Sequence, residues 1–339
     1  MRIGITANIV GHSPPPLGAS ADWDEEFDKP ETVETIEAAL RALGHEVEVL
    51  GDGPPMLRRV LDNPPDFVFN FAEGTGASRS REARVPAVLE MLGIPHSGSD
   101  PLVMAVTLDK DCTKRLAESA GVRTPRGAVV SGQGLVVSGQ RELGGLGFPL
   151  FVKPAYEGSS KGVDGRSVVD SARELEQRIA ELHRVYKQPV LVEEFIGGDE
   201  VTVGVIGNDP PQVLGMMRVL PKHPADQRAG RFVYSLESKR DWRRLLNYET
   251  PARISSDWQA KLEAAALAVV RTLGCRDVSR VDFRMKGDEP YFLEVNPLPG
   301  LHPENSDLVM IARGVGMSHA KLIQSIFLAA CKRQGLAVD

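Results

Sequence analysis

Phe292-Leu-Glu-Val-Asn-Pro-Leu-Pro-Gly300 sets a carboxylate and an amide two residues apart at the end of an apolar run, then closes the run with two prolines and a glycine. Side chains alternate faces along a strand, so Glu294 and Asn296 project to one side. The preceding strand candidate, SRVDFRM, carries Arg280 and Asp282 in the same relation. If the two strands pair, Asp282, Glu294 and Asn296 meet on one face, and oxygen-bearing side chains gathered there suit a hard cation. Magnesium, bound through one or two carboxylates together with substrate phosphates, is the expected occupant, with manganese also acceptable. An isolated Glu-x-Asn is more often a solvated strand residue. The flanks Tyr291, Phe292, Leu293 and Val295 argue otherwise, because a carboxylate in an apolar strand needs a partner.

Two stretches upstream share the character of strand ends loaded with charge. In FVKPAYEGSSKGV, Lys153 sits at the end of an apolar run and is followed by a loop of small residues. Such a loop lets backbone N–H groups approach phosphate oxygens, and the lysine adds positive charge over the same anion. There is no GxxxxGK[ST] pattern, and GSSKG taken alone is an ordinary flexible turn. In VLVEEFIGGDE a strand ends in two acids, Glu193 and Glu194, before a turn and Glu200. These acids either solvate the strand end or frame an adenosine pocket, with the backbone of residues 193 to 196 reading the base and Glu200 accepting from ribose hydroxyls.

Along the rest of the chain, RIGITANIV, HEVEVL and DFVFNFA read as strands, and ETVETIEAALRALG and EARVPAVLEMLG as helices that each close on a glycine. That order predicts a parallel sheet with helices on both faces. A helix pair follows between Asp100 and Gly121, then RTPRGAVV and the glycine-rich QGLVVSGQRELGGLGFP as a connection into a second sheet. Strand, helix and strand are expected in PLFVKPA, SARELEQRIAEL and PVLVEEFI, and antiparallel segments from Glu200 to Leu220. Beyond them come a polar, arginine-rich stretch at 222–247, a helix from Ser256 to Leu273 and a helical tail from Ser318 to Ala330.

The composition is that of an ordinary globular protein, and 339 residues favour two or three domains. A net charge of -6 gives no electrostatic footprint for nucleic acid or for an anionic membrane, so small-molecule partners are expected. The opening MRIGITANIV reads as a first strand and not as a leader. No apolar run is long enough to span a bilayer. Cys112, Cys275 and Cys331 form no CxxC pair, which argues against disulfides or a zinc site and suits a reducing cytoplasm.

The order LDK, VKPAYEGSSKG, VEEFIGGDEVTV, SRVDF and FLEVNPLPG resembles the ATP-grasp superfamily, and within it the D-alanine:D-alanine ligases. The likeness runs through SGSDPLVMAVTLDKDCTK and the C-terminal two thirds and is weaker in the first 80 residues. It implies an α/β fold, α+β in its C-terminal part: a Rossmann-like parallel-sheet domain over 1–97, then two ATP-grasp domains over 98–193 and 194–339 that sandwich ATP, with a lid near 222–247. By that resemblance Lys110 and Lys153 are the phosphate lysines, and Ser159 and Ser160 lie in the loop over the triphosphate, where Glu157 also counts as a nucleotide contact. Residues Glu193, Glu194, Phe195 and Ile196 form the adenine hinge, and Glu200 is the ribose acid. Lys239 belongs to the lid, Asp282, Glu294 and Asn296 hold the metal, and Arg280 stabilises the reacting carboxylate. Ser159, Lys239 and Gly300 are placed with Arg280 among the catalytic positions. The implied reaction forms an acyl phosphate from ATP and a carboxylate, which an amine converts to an amide; the partners are amino acids, and a homodimer is an assembly the family allows.

Several substrate-side positions depart from the ligase pattern. Glu73-Gly74 stands where the family has histidine-glycine, Arg240 where an aromatic residue follows the lid lysine, and LHPENSDLV lengthens the segment after Gly300. The glutamate near the first amino group has three candidates, Glu25, Glu26 and Glu31. Clustered arginines, Arg79, Arg81, Arg84, Arg240, Arg243 and Arg244, either solvate helices or suit a substrate with an extra carboxylate. A ligase for a different dipeptide or amide in a secondary-metabolite pathway, or a nucleotide-binding regulator without turnover, are the alternatives. Intact metal ligands with Arg280 and Lys239 weigh against the regulator.

Overall fold

The computed structural model describes residues 1–131, 145–222 and 231–337. Strands β1 (Arg2–Ala7), β2 (Glu46–Gly51) and β3 (Phe67–Phe71) pair in parallel in the order β2-β1-β3. Alternation along β3 decides what covers each face of this sheet. Phe67, Phe69 and Phe71 join Ile3 and Ile5 under helix α1 (Pro30–Arg41), while Val68 and the adjoining Ala72 pack under α2 (Gly53–Asp62) and α3 (Arg84–Met91). Helices therefore flank both faces, as the strand-helix order predicts. Helix α2 is an addition to that reading, because Pro54 and Pro55 look like a break. They occupy its first turn, where an N–H would have no partner in any case.

The helix pair forms as expected, α4 (Pro101–Leu108) and α5 (Lys110–Ser119), and two aspartates set its boundaries. Asp100 and Asp109 accept from the backbone N–H of Val103 and Cys112, caps that contribute on the order of 1 kcal/mol each. The second cap fixes Lys110 as the first residue of α5.

A second, antiparallel sheet contains β4 (Gly127–Val130), β5 (Leu150–Pro154), β6 (Val168–Val169) and β7 (Val190–Glu194) in the order β4-β7-β5-β6, backed by α6 (Ala172–Tyr186). GAVV is thus not a connection but an edge strand, since its apolar run finds a pairing partner in β7. Most of the glycine-rich stretch after it lies outside the described residues. The third sheet orders β8 (Asp199–Ile206), β9 (Gln212–Pro221), β10 (Leu246–Glu249), β11 (Val278–Lys286) and β12 (Glu289–Asn296) as β10-β9-β8-β11-β12, all antiparallel. Two short helices, α7 (Leu236–Arg240) and α8 (Trp242–Leu245), lie in the arginine-rich stretch, whose residues 223–230 fall outside the described set. Helix α9 (Ser256–Leu273) covers one face of the third sheet and ends on Gly274, whose φ of 76° needs no Cβ to be accommodated.

Helices α10 (Asp307–Gly314) and α11 (His319–Arg333) follow β12. The apolar side of α11 packs on the first sheet, where Phe327 meets Phe67 edge to face with centroids 5.1 Å apart. Each such fully buried aromatic contributes roughly 1.5–3 kcal/mol. Gly198 makes the turn between β7 and β8 at a φ of 107°, and a Cβ there would collide with the carbonyl oxygen of Met285. Among the described residues no helix is long and apolar enough to cross a membrane.

Candidate active site

The second and third sheets face each other across a cleft of about 810 Å3, with Lys153 and Glu193–Ile196 on one wall and Glu200, Asp282, Leu293 and Glu294 on the other. The register of β11 with β12 sets Asp282 opposite Glu294 and Arg280 opposite Asn296. The two strands therefore pair as the sequence suggests, and the two carboxylates face each other. A bulge follows at once, because Phe283 pairs with Phe292 and skips Leu293. It lets Leu293 reach the cleft beside Glu294, a placement that strict alternation forbids.

The acids of the cleft are closely matched by cations. Lys110 Nζ lies 3.4 Å from Glu294 Oε2, and Arg280 donates to Asp282 Oδ2 at 3.1 Å. Thr202 Oγ1 donates to the other Asp282 oxygen at 2.8 Å. Burial pushes the Asp282 carboxyl up to about 6 against the pull of Arg280, and neighbouring Glu294 adds to the rise. Burial opposes the charge of Glu294 as well, but Lys110, Lys153 and Arg280 hold it far below the usual carboxylate range. Across the cleft, Glu193 bridges Lys114 at 2.6 Å and Lys153 at 3.2 Å. Burial lowers the Lys114 ammonium to about 8. Glu200 is held by Arg284 at 2.9 Å, and that guanidinium lies 5.5 Å from the centre of the Phe195 ring.

Neither Lys114 nor Arg284 was a candidate on sequence grounds. Both carried a legible signal: Arg284 continues the period-two row Arg280, Asp282, and Lys114 follows Lys110 by one helical turn. Glu194 lines the cleft but its carboxylate reaches out to Arg126 at 3.3 Å. Glu157 offers its carbonyl oxygen to Lys110, while its carboxylate is taken by Lys161 and Gln188 at 2.5 Å each.

Ser159 and Ser160 both hold positive φ, 48° and 59°, a conformation that costs side-chain-bearing residues free energy. Tertiary contacts maintain it: Ser160 Oγ donates to Tyr234 O at 3.0 Å, and Gly158 N donates to Glu26 at 2.6 Å. Glu26 is the centre of a buried network, 2.9 Å from Arg81 and 3.2 Å from Lys161. The glycine-serine loop is thereby tied to the first domain.

A second cavity adjoins the cleft and shares Tyr234, Lys239 and Asp307 with it. Ser159, Arg280, Asn296 and Gly300 line it, so every residue assigned to nucleotide, metal or catalysis borders one of the two spaces. Arg280 also reaches Asp307 at 3.4 Å, and Lys239 Nζ sits 4.6 Å from the centre of the Tyr234 ring. Asn296 Oδ1 accepts from Leu298 N at 2.8 Å, which orients the amide as the Pro-Leu-Pro-Gly turn begins.

Among the described residues no group of three or more His, Cys, Asp or Glu gathers for a metal. What β11 and β12 provide is the facing carboxylate pair with Asn296 beside it, a donor set that suits magnesium completed by phosphate oxygens and water. The residues fit the ion the sequence pattern implies.

Each of the clustered arginines already has an acceptor within the protein. Arg81 is committed to Glu26, Arg79 to Asp109 and Arg84 to Thr75 O. Arg240 is held by Glu25, Arg243 by Glu304 and Arg244 by Asp241. The candidates for the first amino group fare likewise: Glu25 and Glu26 are paired, and exposed Glu31 faces His302 at 3.7 Å.

Residues 120–328 match the family model described as D-ala D-ala ligase C-terminus. The D-alanine--D-alanine ligase of Aquifex aeolicus is 34% identical over 298 residues, covering 87% of this chain and 93% of that protein. The chain belongs to the D-alanine:D-alanine ligase family. An uncharacterised protein of Sinorhizobium fredii, y4sG, is 33% identical over 313 residues, covering 88% of this chain and 87% of its own. A crystal structure of D-alanine--D-alanine ligase from Bacillus anthracis complexed with ATP superposes with a TM-score of 0.72 at 24% identity and covers 99% of both chains. That likeness shows the ATP-grasp fold. The family's amide-forming ligases therefore share their scaffold with this member.

Proposed function

We propose that the protein is an ATP-dependent carboxylate-amine ligase that joins two amino acids through an acyl phosphate. One observation carries this reading: the phosphate-side lysines Lys110 and Lys153, the facing acids Asp282 and Glu294, and Arg280 converge where the two cavities meet. A protein that only bound nucleotide would not need a buried arginine at that junction.

ATP is assigned to the first cleft. The 193 to 196 backbone meets the adenine, Glu200 the ribose hydroxyls, and Lys110, Lys153 and the Glu157–Ser160 loop the phosphates. A substrate carboxylate oxygen attacks the γ-phosphorus, the bond to the bridging oxygen breaks, and ADP leaves. The amine of the second amino acid attacks the acyl carbon and loses a proton, the C–O bond breaks, and phosphate departs. Arg280 is placed to donate to the oxyanion of that second step, a kind of contact that contributes roughly 3–4 kcal/mol to the barrier. Lys239 and the flanking short helices exclude water from the acyl phosphate, and Gly300 leaves room for substrate. Asp282, Glu294 and Asn296 would hold magnesium, or manganese in its place, which would neutralise phosphate charge when bound.

The test is phosphate release from ATP over paired D- and L-amino acids, with mass spectrometry of the products. Saturable release with a dipeptide product is expected. Nucleotide binding without turnover on any pair would reject the ligase reading.

A further inference from the structure

An oxyanion donor works only if its geometry is fixed before the charge develops. Acids on two different elements fix the Arg280 guanidinium. On β11 itself, Asp282 Oδ2 accepts from Nε at 3.1 Å and lies 3.0 Å from Nη2. On the far side Asp307, the first residue of α10, sets Oδ2 3.4 Å from Nη1. Arg280 and Asp307 are both buried, so neither can exchange the other for water without cost. Asp282 also serves the metal in the reading above, and Asp307 carries no such duty. It lines both cavities where they meet.

The other oxygen of Asp307 is held as well. Tyr234 Oη lies 3.1 Å from Asp307 Oδ1 and 2.8 Å from Tyr248 Oη. An ionised carboxylate only accepts, so Tyr234 gives its hydroxyl proton to Asp307 and accepts in turn from Tyr248 on β10. An aspartate at the start of a helix can simply favour the helix dipole, but both oxygens of Asp307 are engaged by partners outside α10. Tyr234 belongs to the stretch that covers the junction. Its carbonyl oxygen accepts from Ser160 Oγ at 3.0 Å, and Lys239 Nζ sits over its ring. A continuous row therefore runs from Ser160 in the glycine-serine loop through Tyr234 and Asp307 to Arg280.

We propose that Asp307 is a positioning residue for acyl transfer: it orients Arg280 towards the oxyanion, and Tyr234 ties that orientation to the seating of the loop over the phosphates. The assignment rests on the ligase reading given above. Breaking the row should slow the step that uses Arg280, attack of the amine on the acyl phosphate. ATP binding and the first transfer do not depend on it. Asp307→Asn keeps the shape and an acceptor for Tyr234 but loses the charge that faces Arg280. Tyr234→Phe keeps that charge and removes the tether.

The experiment compares the native protein, Asp307→Asn and Tyr234→Phe, each with and without Arg280→Met, on the amino-acid pair that gives the fastest phosphate release. It reads kcat, ATP affinity by titration, and scrambling of labelled oxygen between the bridging and non-bridging positions of ATP with the carboxylate substrate alone, which reports the first transfer. The expected kcat falls about 10-fold in Asp307→Asn and about 3–10-fold in Tyr234→Phe, with ATP affinity and scrambling within about twofold of native. Beside Arg280→Met the same substitutions should each change kcat by less than about twofold, because the contact they act through is gone. Equal losses with and without Arg280 would overturn the proposal, as would scrambling that falls as far as kcat, or a kcat that does not change; the ligase reading would stand in each case. If urea unfolding shows Asp307→Asn to be unfolded, Tyr234→Phe carries the same comparison. Release from the native protein with no amino-acid pair removes the ligase reading and this inference with it.

Discussion

Replacing Glu26 by glutamine removes one charge from the buried junction between the first domain and the glycine-serine loop, with little change of shape. Burial opposes the Glu26 carboxylate, yet Arg81, Lys161 and the Gly158 N–H together hold its pKa at about 2 against an ordinary 4.5. A difference of that size corresponds to about 3 kcal/mol of stability at neutral pH. The structure supports the same scale independently, because loss of Glu26 leaves Arg81 buried with Glu157 as its remaining close acid at 3.5 Å, and breaking such a pair typically costs about 3–5 kcal/mol. The sign follows from the direction of the shift. A carboxyl with a depressed pKa stabilises the fold fully above 4.5, and the contribution fades as pH falls towards 2. Urea unfolding of both proteins, followed from pH 7 down through 4, is expected to show Glu26→Gln less stable by about 3 kcal/mol at pH 7, with the gap narrowing below pH 4.5. A gap under about 1 kcal/mol at pH 7, or one that does not narrow in acid, would refute the claim that charge at Glu26 holds this junction.

Asp282→Asn and Glu294→Gln are each expected to abolish turnover while circular dichroism shows a folded protein, with Glu294→Gln less stable because Lys110 loses its carboxylate partner; near-normal rates at ordinary magnesium would reject the metal assignment. Arg280→Lys keeps a cation between Asp282 and Asp307 but loses the guanidinium fork, so kcat should fall by about 10²-fold with ATP affinity nearly unchanged. Weakened ATP binding with kcat preserved would make Arg280 a nucleotide contact instead. Gly198→Ala forces a Cβ against Met285 O at positive φ and should cost more than about 1 kcal/mol by thermal denaturation. A neutral result would show that the hinge turn relaxes freely.

What could be read in advance followed local rules. The period-two rows in SRVDFR and FLEVN anticipated which side chains of β11 and β12 face each other, and the aspartates of SDP and LDK marked where α4 and α5 begin. Contacts between distant segments obeyed no such rule. Glu25 meets Arg240 across 215 positions and Glu26 meets Arg81 across 55, so no spacing in the sequence could reveal that these arginines and acids neutralise one another. The reading of an extra substrate carboxylate counted arginines without these partners.

The docking of α11 on the first sheet bears on how the chain is made. Phe67, Ile3 and Ile5 need Phe327, Ile326 and Leu322 as neighbours, yet a ribosome delivers the strands first and that helix only after the second and third sheets have emerged. Until then α1 covers only part of that apolar face. Its closure late in translation couples maturation of the opening domain to the appearance of the final helix, so an interrupted transcript would yield a sticky fragment in place of a free-standing domain.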